Sequence, residues 1–193
     1  RQESAHPHGV VVCGEQLYVA DLGTNQVVCW TIDLDNNALE AASAITVHDL
    51  AGPRHIQFTS DGELGFALNE LDNTVSVLQR DAGKDGELSL VQTLSSLPPG
   101  WAEAHADPAT FPNEVYSKPS HASELLISPD DRFVYASNRG HDSIAVFALD
   151  AADQQLTPLQ FEPTRGRRSP RMLATTTAPM RPSPPPPSPY EMT

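Results

Sequence analysis

Residues 124–147 read E-L-L-I-S-P-D-D-R-F-V-Y-A-S-N-R-G-H-D-S-I-A-V-F. Three short apolar runs are separated by two polar turns. Ser-Pro-Asp-Asp supplies turn formers between the first and second runs, and Asn138 to Asp142 separates the second from the third. The runs are rich in β-branched and aromatic residues and show no helical periodicity. The stretch therefore reads as two successive β-hairpins. Its second turn is over-equipped. Gly140 with Asn138 or Asp142 meets the needs of a turn; an arginine and a histidine, Arg139 and His141, do not belong to that chemistry.

The same pattern recurs upstream. Residues 55–69, H-I-Q-F-T-S-D-G-E-L-G-F-A-L-N, match residues 124–138 in register, and residues 9–21, G-V-V-V-C-G-E-Q-L-Y-V-A-D, are a shorter version. Downstream, residues 20–30, 68–78 and 137–147 align without gaps. Asp21, Asn69 and Asn138 correspond, followed by Leu22, Glu70 and Arg139. Val27, Val75 and Ile144 come next, then Cys29, Val77 and Val146. A further apolar segment follows each unit, at 44–50, 88–94 and 156–161. Four antiparallel strands per repeat form the blade of a β-propeller. The expected fold is all-β, with about three blades visible, whereas closed propellers use roughly four to eight.

This gives a partial propeller over residues 1–161. The long insertion 98–120 reads as an irregular loop. Residues 162–193 break the pattern with a Pro/Arg-rich tail containing Pro-Pro-Pro-Pro, which favours an extended, solvated chain and supplies no blade.

The net charge is −13. Five arginines against two acids after residue 161 leave seven basic and 23 acidic residues in the body. Such a body repels phosphate backbones, which argues against nucleic-acid binding. No apolar run approaches the roughly 20 residues needed to span a bilayer. No signal segment is visible, so the expected location is cytoplasmic. Cys13 and Cys29 lack metal-type spacing and read as small buried thiols.

In a propeller blade, the start of the first strand and the end of the second lie at one rim. That places Arg54 and His55 near Glu70, His6 and His8 near Asp21, and His121 and Glu124 near Asn138 and Arg139. Taken singly, each has an ordinary role: Asp21, Asn69 and Asn138 in turns, His55 and His141 as loop histidines, Glu70 and Arg139 as a rim ion pair. Together they cluster charge at a channel mouth in a chain short of basic residues, which favours a site.

With H-P-H-G-V (6–10), L-Y-V-A-D-L-G-T-N-Q-V (17–27), G-P-R-H-I-Q-F (52–58), L-N-E-L-D-N-T-V-S-V (68–77) and Y-A-S-N-R-G-H-D-S-I-A-V-F (135–147), the sequence resembles the seven-bladed propeller lactonases. That family includes 6-phosphogluconolactonases of the cycloisomerase type and carboxy-cis,cis-muconate cyclases. The resemblance covers about residues 5–160. It implies catalytic residues at His6 or His8, Arg54, Glu70 and Arg139, with His55, Asn69, Asn138 and His141 as substrate-binding neighbours. It also implies a small anionic sugar lactone or carboxylate as substrate. The arginines suit an anion or a developing oxyanion, and Glu or His suits proton transfer. No nucleophile elbow or metal-ligand set is present, so the expected chemistry needs no cofactor and no metal. Lactonase, cyclase and non-catalytic propeller scaffold all fit these residues, and oligomeric state is not legible.

Overall fold

The computed structural model describes residues 4–104 and 120–165. Residues 105–119 of the expected insertion and 166–193 of the expected tail lie outside them. The described chain forms three four-stranded antiparallel sheets, each in simple sequence order. Blade 1 comprises β1 (Pro7–Cys13), β2 (Gln16–Asp21), β3 (Gln26–Asp33) and β4 (Ala38–Thr46). Blade 2 comprises β5 (Pro53–Phe58), β6 (Leu64–Asn69), β7 (Thr74–Asp81) and β8 (Glu87–Ser95). Blade 3 comprises β9 (His121–Ile127), β10 (Phe133–Arg139), β11 (Ser143–Asp150) and β12 (Gln155–Pro163). The last strand runs two residues past the expected boundary at Phe161. One helical turn, α1 (Trp101–Ala104), and a 3-10 turn at Ala82–Lys84 complete the elements. The expected irregular loop thus begins with a helical turn.

Turn chemistry fixes the hairpins. At the β2–β3, β6–β7 and β10–β11 turns, Asn25, Asn73 and Asp142 take left-handed backbone angles (φ 60°, 57° and 55°). Asn and Asp tolerate this region better than other side chains. The carbonyls of these three residues accept the backbone N–H of Val47, Ser96 and Thr164, just beyond the outer strand of each blade. Each turn therefore also anchors the exit of its blade.

Two apolar cores lie between the blades. Tyr18, Ala20, Val27 and Cys29 of blade 1 meet Ile56, Ala67 and Leu78 of blade 2. Phe66, Leu68, Val75 and Val77 of blade 2 meet Leu125, Val134, Ala136 and Phe147 of blade 3. The middle strand β6 is consequently buried along its whole length, whereas β2 and β10 alternate between buried and partly buried positions. Polar stitches cross the same boundaries. Asn25 Oδ1 accepts from the Gly52 amide at 3.0 Å, and Asn73 Nδ2 donates to the Ser120 carbonyl at 2.7 Å. Cys13 and Cys29 are free thiols, and burial raises both pKa values.

Candidate active site

One irregularity is common to the three first strands. Between Pro7↔Asp21 and Gly9↔Ala20, β1 carries an extra residue, His8. Between Pro53↔Asn69 and His55↔Leu68, β5 carries Arg54. In β9 the corresponding shift falls between the partners of Ala136 and Asn138, at Ser123 and Glu124. A β-bulge bends its strand and re-aims the side chain it carries. Three bulges in a row at one rim put His8, Arg54 and Ser123 at equivalent positions around the mouth, and Glu124 follows at the position that His55 holds in blade 2.

Glu70 is the centre of this cluster. It is buried, and its two carboxylate oxygens face two guanidinium groups from different directions. Arg54 Nε lies 2.9 Å from Glu70 Oε2, too far out of line for a hydrogen bond, so this contact is an ion pair. Arg139 Nη2 donates to Glu70 Oε1 from blade 3. Arg54 Nη1 also donates to the Ser123 carbonyl. One carboxylate thus holds an arginine of its own blade and one of the next, and the two cations outnumber the anion between them.

His55 forms the second half. Its Nδ1 lies 3.0 Å from Glu124 Oε1 and its Nε2 lies 2.7 Å from Arg54 Nη1. Both contacts are satisfied by the neutral tautomer with its proton on Nδ1. Burial lowers the His55 pKa, and Arg54 and His8 add to this against the opposing effect of Glu124 and Glu70. The His8 ring stands 5.5 Å from the His55 ring. Gly9 permits that approach: a Cβ there would fall 2.5 Å from the Arg54 carbonyl oxygen.

The two histidines of H-P-H are therefore not equivalent. His8 joins the cluster. His6 donates its backbone N–H to Asp21 at 2.8 Å, and its ring lies against Ser4. Asp21 also accepts from the Gly23 and Thr24 amides, so it serves the turn. Asn69 and Asn138, expected to touch substrate, make framework hydrogen bonds. Asn69 Nδ2 donates to Thr74 and Ser76 inside blade 2. Asn138 exchanges two hydrogen bonds with Ser96, at 2.6 and 2.7 Å, across the boundary between blades 2 and 3. Both are buried, and Asn69 Oδ1 has no hydrogen-bond partner among the described residues. His141 lies 2.6 Å from Ser143 Oγ and edge-on to Trp101, with ring centroids 4.8 Å apart.

Glu124 was absent from the expected site set, although its place at the rim was foreseen. The available signal is the repeat register: Glu124 precedes Leu125 as His55 precedes Ile56. A separate cavity of about 790 Å³ opens at the opposite rim beside Asp61, Glu63, Arg80 and Lys84. Its arginine is engaged by Tyr18 and Gln16, at 2.8 and 2.5 Å. Among the described residues no group of three or more His, Cys, Asp or Glu could hold a metal. No described helix is long and apolar enough to cross a membrane.

Residues 1–178 match the model of the lactonase family with a seven-bladed β-propeller. The chain belongs to that family. An uncharacterized protein of Staphylococcus epidermidis is 33% identical over 166 residues, covering 85% of this chain and 43% of that protein. Among solved structures, a periplasmic gluconolactonase of Pseudomonas aeruginosa is 28% identical with a TM-score of 0.73, covering 86% of this chain and 43% of that one. A structure described as a putative 6-phosphogluconolactonase of Bacteroides uniformis is 26% identical with a TM-score of 0.67, covering 85% and 43%. The chain thus spans less than half the length of these relatives, in keeping with three blades of seven.

Proposed function

We propose that this lactonase-family chain carries the anion-binding and proton-transfer residues of a site that hydrolyses a phosphorylated sugar lactone, with 6-phosphogluconolactone as the substrate. The observation that carries the reading is the Arg54–Glu70–Arg139 cluster on the bulged rim. Glu70 spends both oxygens on the arginines, so its role is to orient them. Arg139 keeps donors directed away from Glu70, with a side chain 53% exposed, and these are suited to the phosphate or to the oxyanion formed at the lactone carbonyl. His8, with its exposed ring beside His55, takes the proton from the attacking water. Water oxygen bonds to the carbonyl carbon, the ring C–O bond breaks, and the ring oxygen takes up a proton. The chain's own residues supply these roles without a metal. We place the reaction in the cytoplasm, a reading supported by the two free thiols.

Release of acid from 6-phosphogluconolactone by the purified chain tests this directly, against the spontaneous rate and with unphosphorylated gluconolactone alongside. Faster hydrolysis of the phosphorylated substrate, unchanged by chelator, is expected. A rate equal to the spontaneous one sinks the assignment. A carboxymuconate substrate would engage the same arginines through its carboxylates, and its lactonisation in the parallel assay would move the assignment to a cyclase.

A further inference from the structure

The first-strand position just before Val10, Ile56 and Leu125 holds Gly9 in blade 1, His55 in blade 2 and Glu124 in blade 3. Two of these equivalents meet across a blade boundary: Glu124 Oε1 stands 3.0 Å from His55 Nδ1. Glu124 is set there by its own blade. Its amide donates to Ser137 Oγ at 2.9 Å, and its Oε1 also accepts from the Leu125 amide at 3.1 Å. Gly9 leaves the space on the other side, where a Cβ would lie 3.0 Å from the His55 Cα.

The other ring nitrogen of His55 meets Arg54, with Nε2 2.7 Å from Nη1. Nη1 carries two N–H groups. One goes to the Ser123 carbonyl, which leaves the other for His55. Nε faces Glu70. Nη2 is the one nitrogen of this guanidinium that none of these contacts uses. A guanidinium is planar and rigid, so fixing Nη1 and Nε decides where Nη2 points. Arg54 keeps all its protons, so His55 Nε2 can meet it only as an acceptor. The His55 proton then belongs on Nδ1, where Glu124 takes it in a charge-assisted hydrogen bond. The opposite tautomer would set two donors face to face at Nε2 and a lone pair against a carboxylate at Nδ1.

We propose that Glu124 and His55 are positioning residues for Arg54: Glu124 keeps the His55 proton on Nδ1, and His55 Nε2 then holds the guanidinium in the orientation that offers Nη2 to a bound anion. The anion role of Arg54 rests on the proposed function; the tautomer and the grip on Arg54 do not depend on it. Neither positioning residue has to touch substrate. His55 is also removed as the base for the attacking water, because Arg54 occupies its one ring lone pair. Each link joins groups inside the boundary between blades 2 and 3.

Nitrogen-labelled histidine in the 193-residue chain tests this, read by long-range proton–nitrogen spectra at about pH 7.5. Burial, with Arg54 and His8 facing the ring, holds the His55 pKa below the ordinary 6.5 against the opposing Glu124 and Glu70, so the ring is neutral at that pH. His55→Gln identifies its signals. The wild type should carry the proton on Nδ1, with Nε2 bare. Glu124→Ala should let the proton redistribute to Nε2, whereas Glu124→Gln, which keeps an acceptor oxygen, should hold it on Nδ1. In the lactone assay Glu124→Ala should lower kcat/KM about tenfold, a misplacement loss, and Glu124→Gln should restore most of it. A mere staple between blades would lower the urea midpoint in Glu124→Ala and leave tautomer and kcat/KM where they were, which overturns the proposal. So does a Gln variant as defective as the Ala variant. An Nε2-protonated or doubly protonated His55 in the wild type overturns it too, and that measurement needs no variant to fold. A wild type without turnover removes the proposed function; the spectra of the wild type and the two Glu124 variants then decide this inference alone.

Discussion

Arg54 and Arg139 share one carboxylate but not one environment. The Arg54 side chain is largely buried and also bonded to the Ser123 carbonyl, whereas half of Arg139 faces solvent. Removing a well-exposed ion-pair partner costs little stability, since solvent screens the charge. Arg139→Ala should therefore change unfolding free energy by less than about 1 kcal/mol while lowering lactone hydrolysis about 10²-fold. Arg54→Ala should cost about 2 kcal/mol by leaving buried polar partners unmatched, and activity as well. Parallel urea unfolding and rate measurements separate the two. His55 gives a pH signature. Its folded pKa lies below the ordinary 6.5, so the unfolded chain binds the extra proton first on acidification. Stability should fall as pH drops through about 6.5, and the drop in melting temperature between about pH 7 and pH 5 should shrink in His55→Gln. An unchanged profile would remove His55 from the buried, neutral role.

At the scale of strands, the side chains that join blades come from positions that resemble turn residues. Asn138 is the penultimate residue of β10 and binds the segment that leaves β8 through two hydrogen bonds to Ser96. Asn138→Ala leaves the Ser96 carbonyl without its donor in a buried setting, while Ser96 Oγ keeps the Asn73 carbonyl as acceptor, and should destabilise by about 2 kcal/mol. The urea midpoint should fall with an unchanged slope, as for a loss confined to the folded state. A shift no larger than that of an exposed Asp153→Ala control would contradict this. The contrast explains what the sequence made legible. Hairpins and blade recurrence are visible because alternation and turn chemistry are local. The convergence of Arg54, Glu70 and Arg139 was legible because it follows from strand order. The bulges were not, since they depend on cross-strand register, and without them the distinction between His8 and His6 stays hidden. The roles of Asn69 and Asn138 are not legible, because an amide near a strand end serves a turn, a neighbouring strand or a ligand with the same donors.

At the scale of the molecule, blades are repeats that contact only their neighbours, and their stability is shared through those boundaries. Blade 2 has a boundary on each side; blades 1 and 3 have one each within the described chain. The full burial of β6 is the local record of that asymmetry, and it has a kinetic meaning. Opening β6 to solvent requires both apolar cores to part, whereas β2 or β10 can open when only one does. Amide hydrogen exchange in native conditions should accordingly be slowest at Phe66, Ala67 and Leu68 and should report the global unfolding free energy there. In dilute solution the end blades should exchange sooner, through partial openings that leave the centre folded. Equal protection across all three blades would mean that the chain opens as one unit, with β6 no more than its most crowded strand.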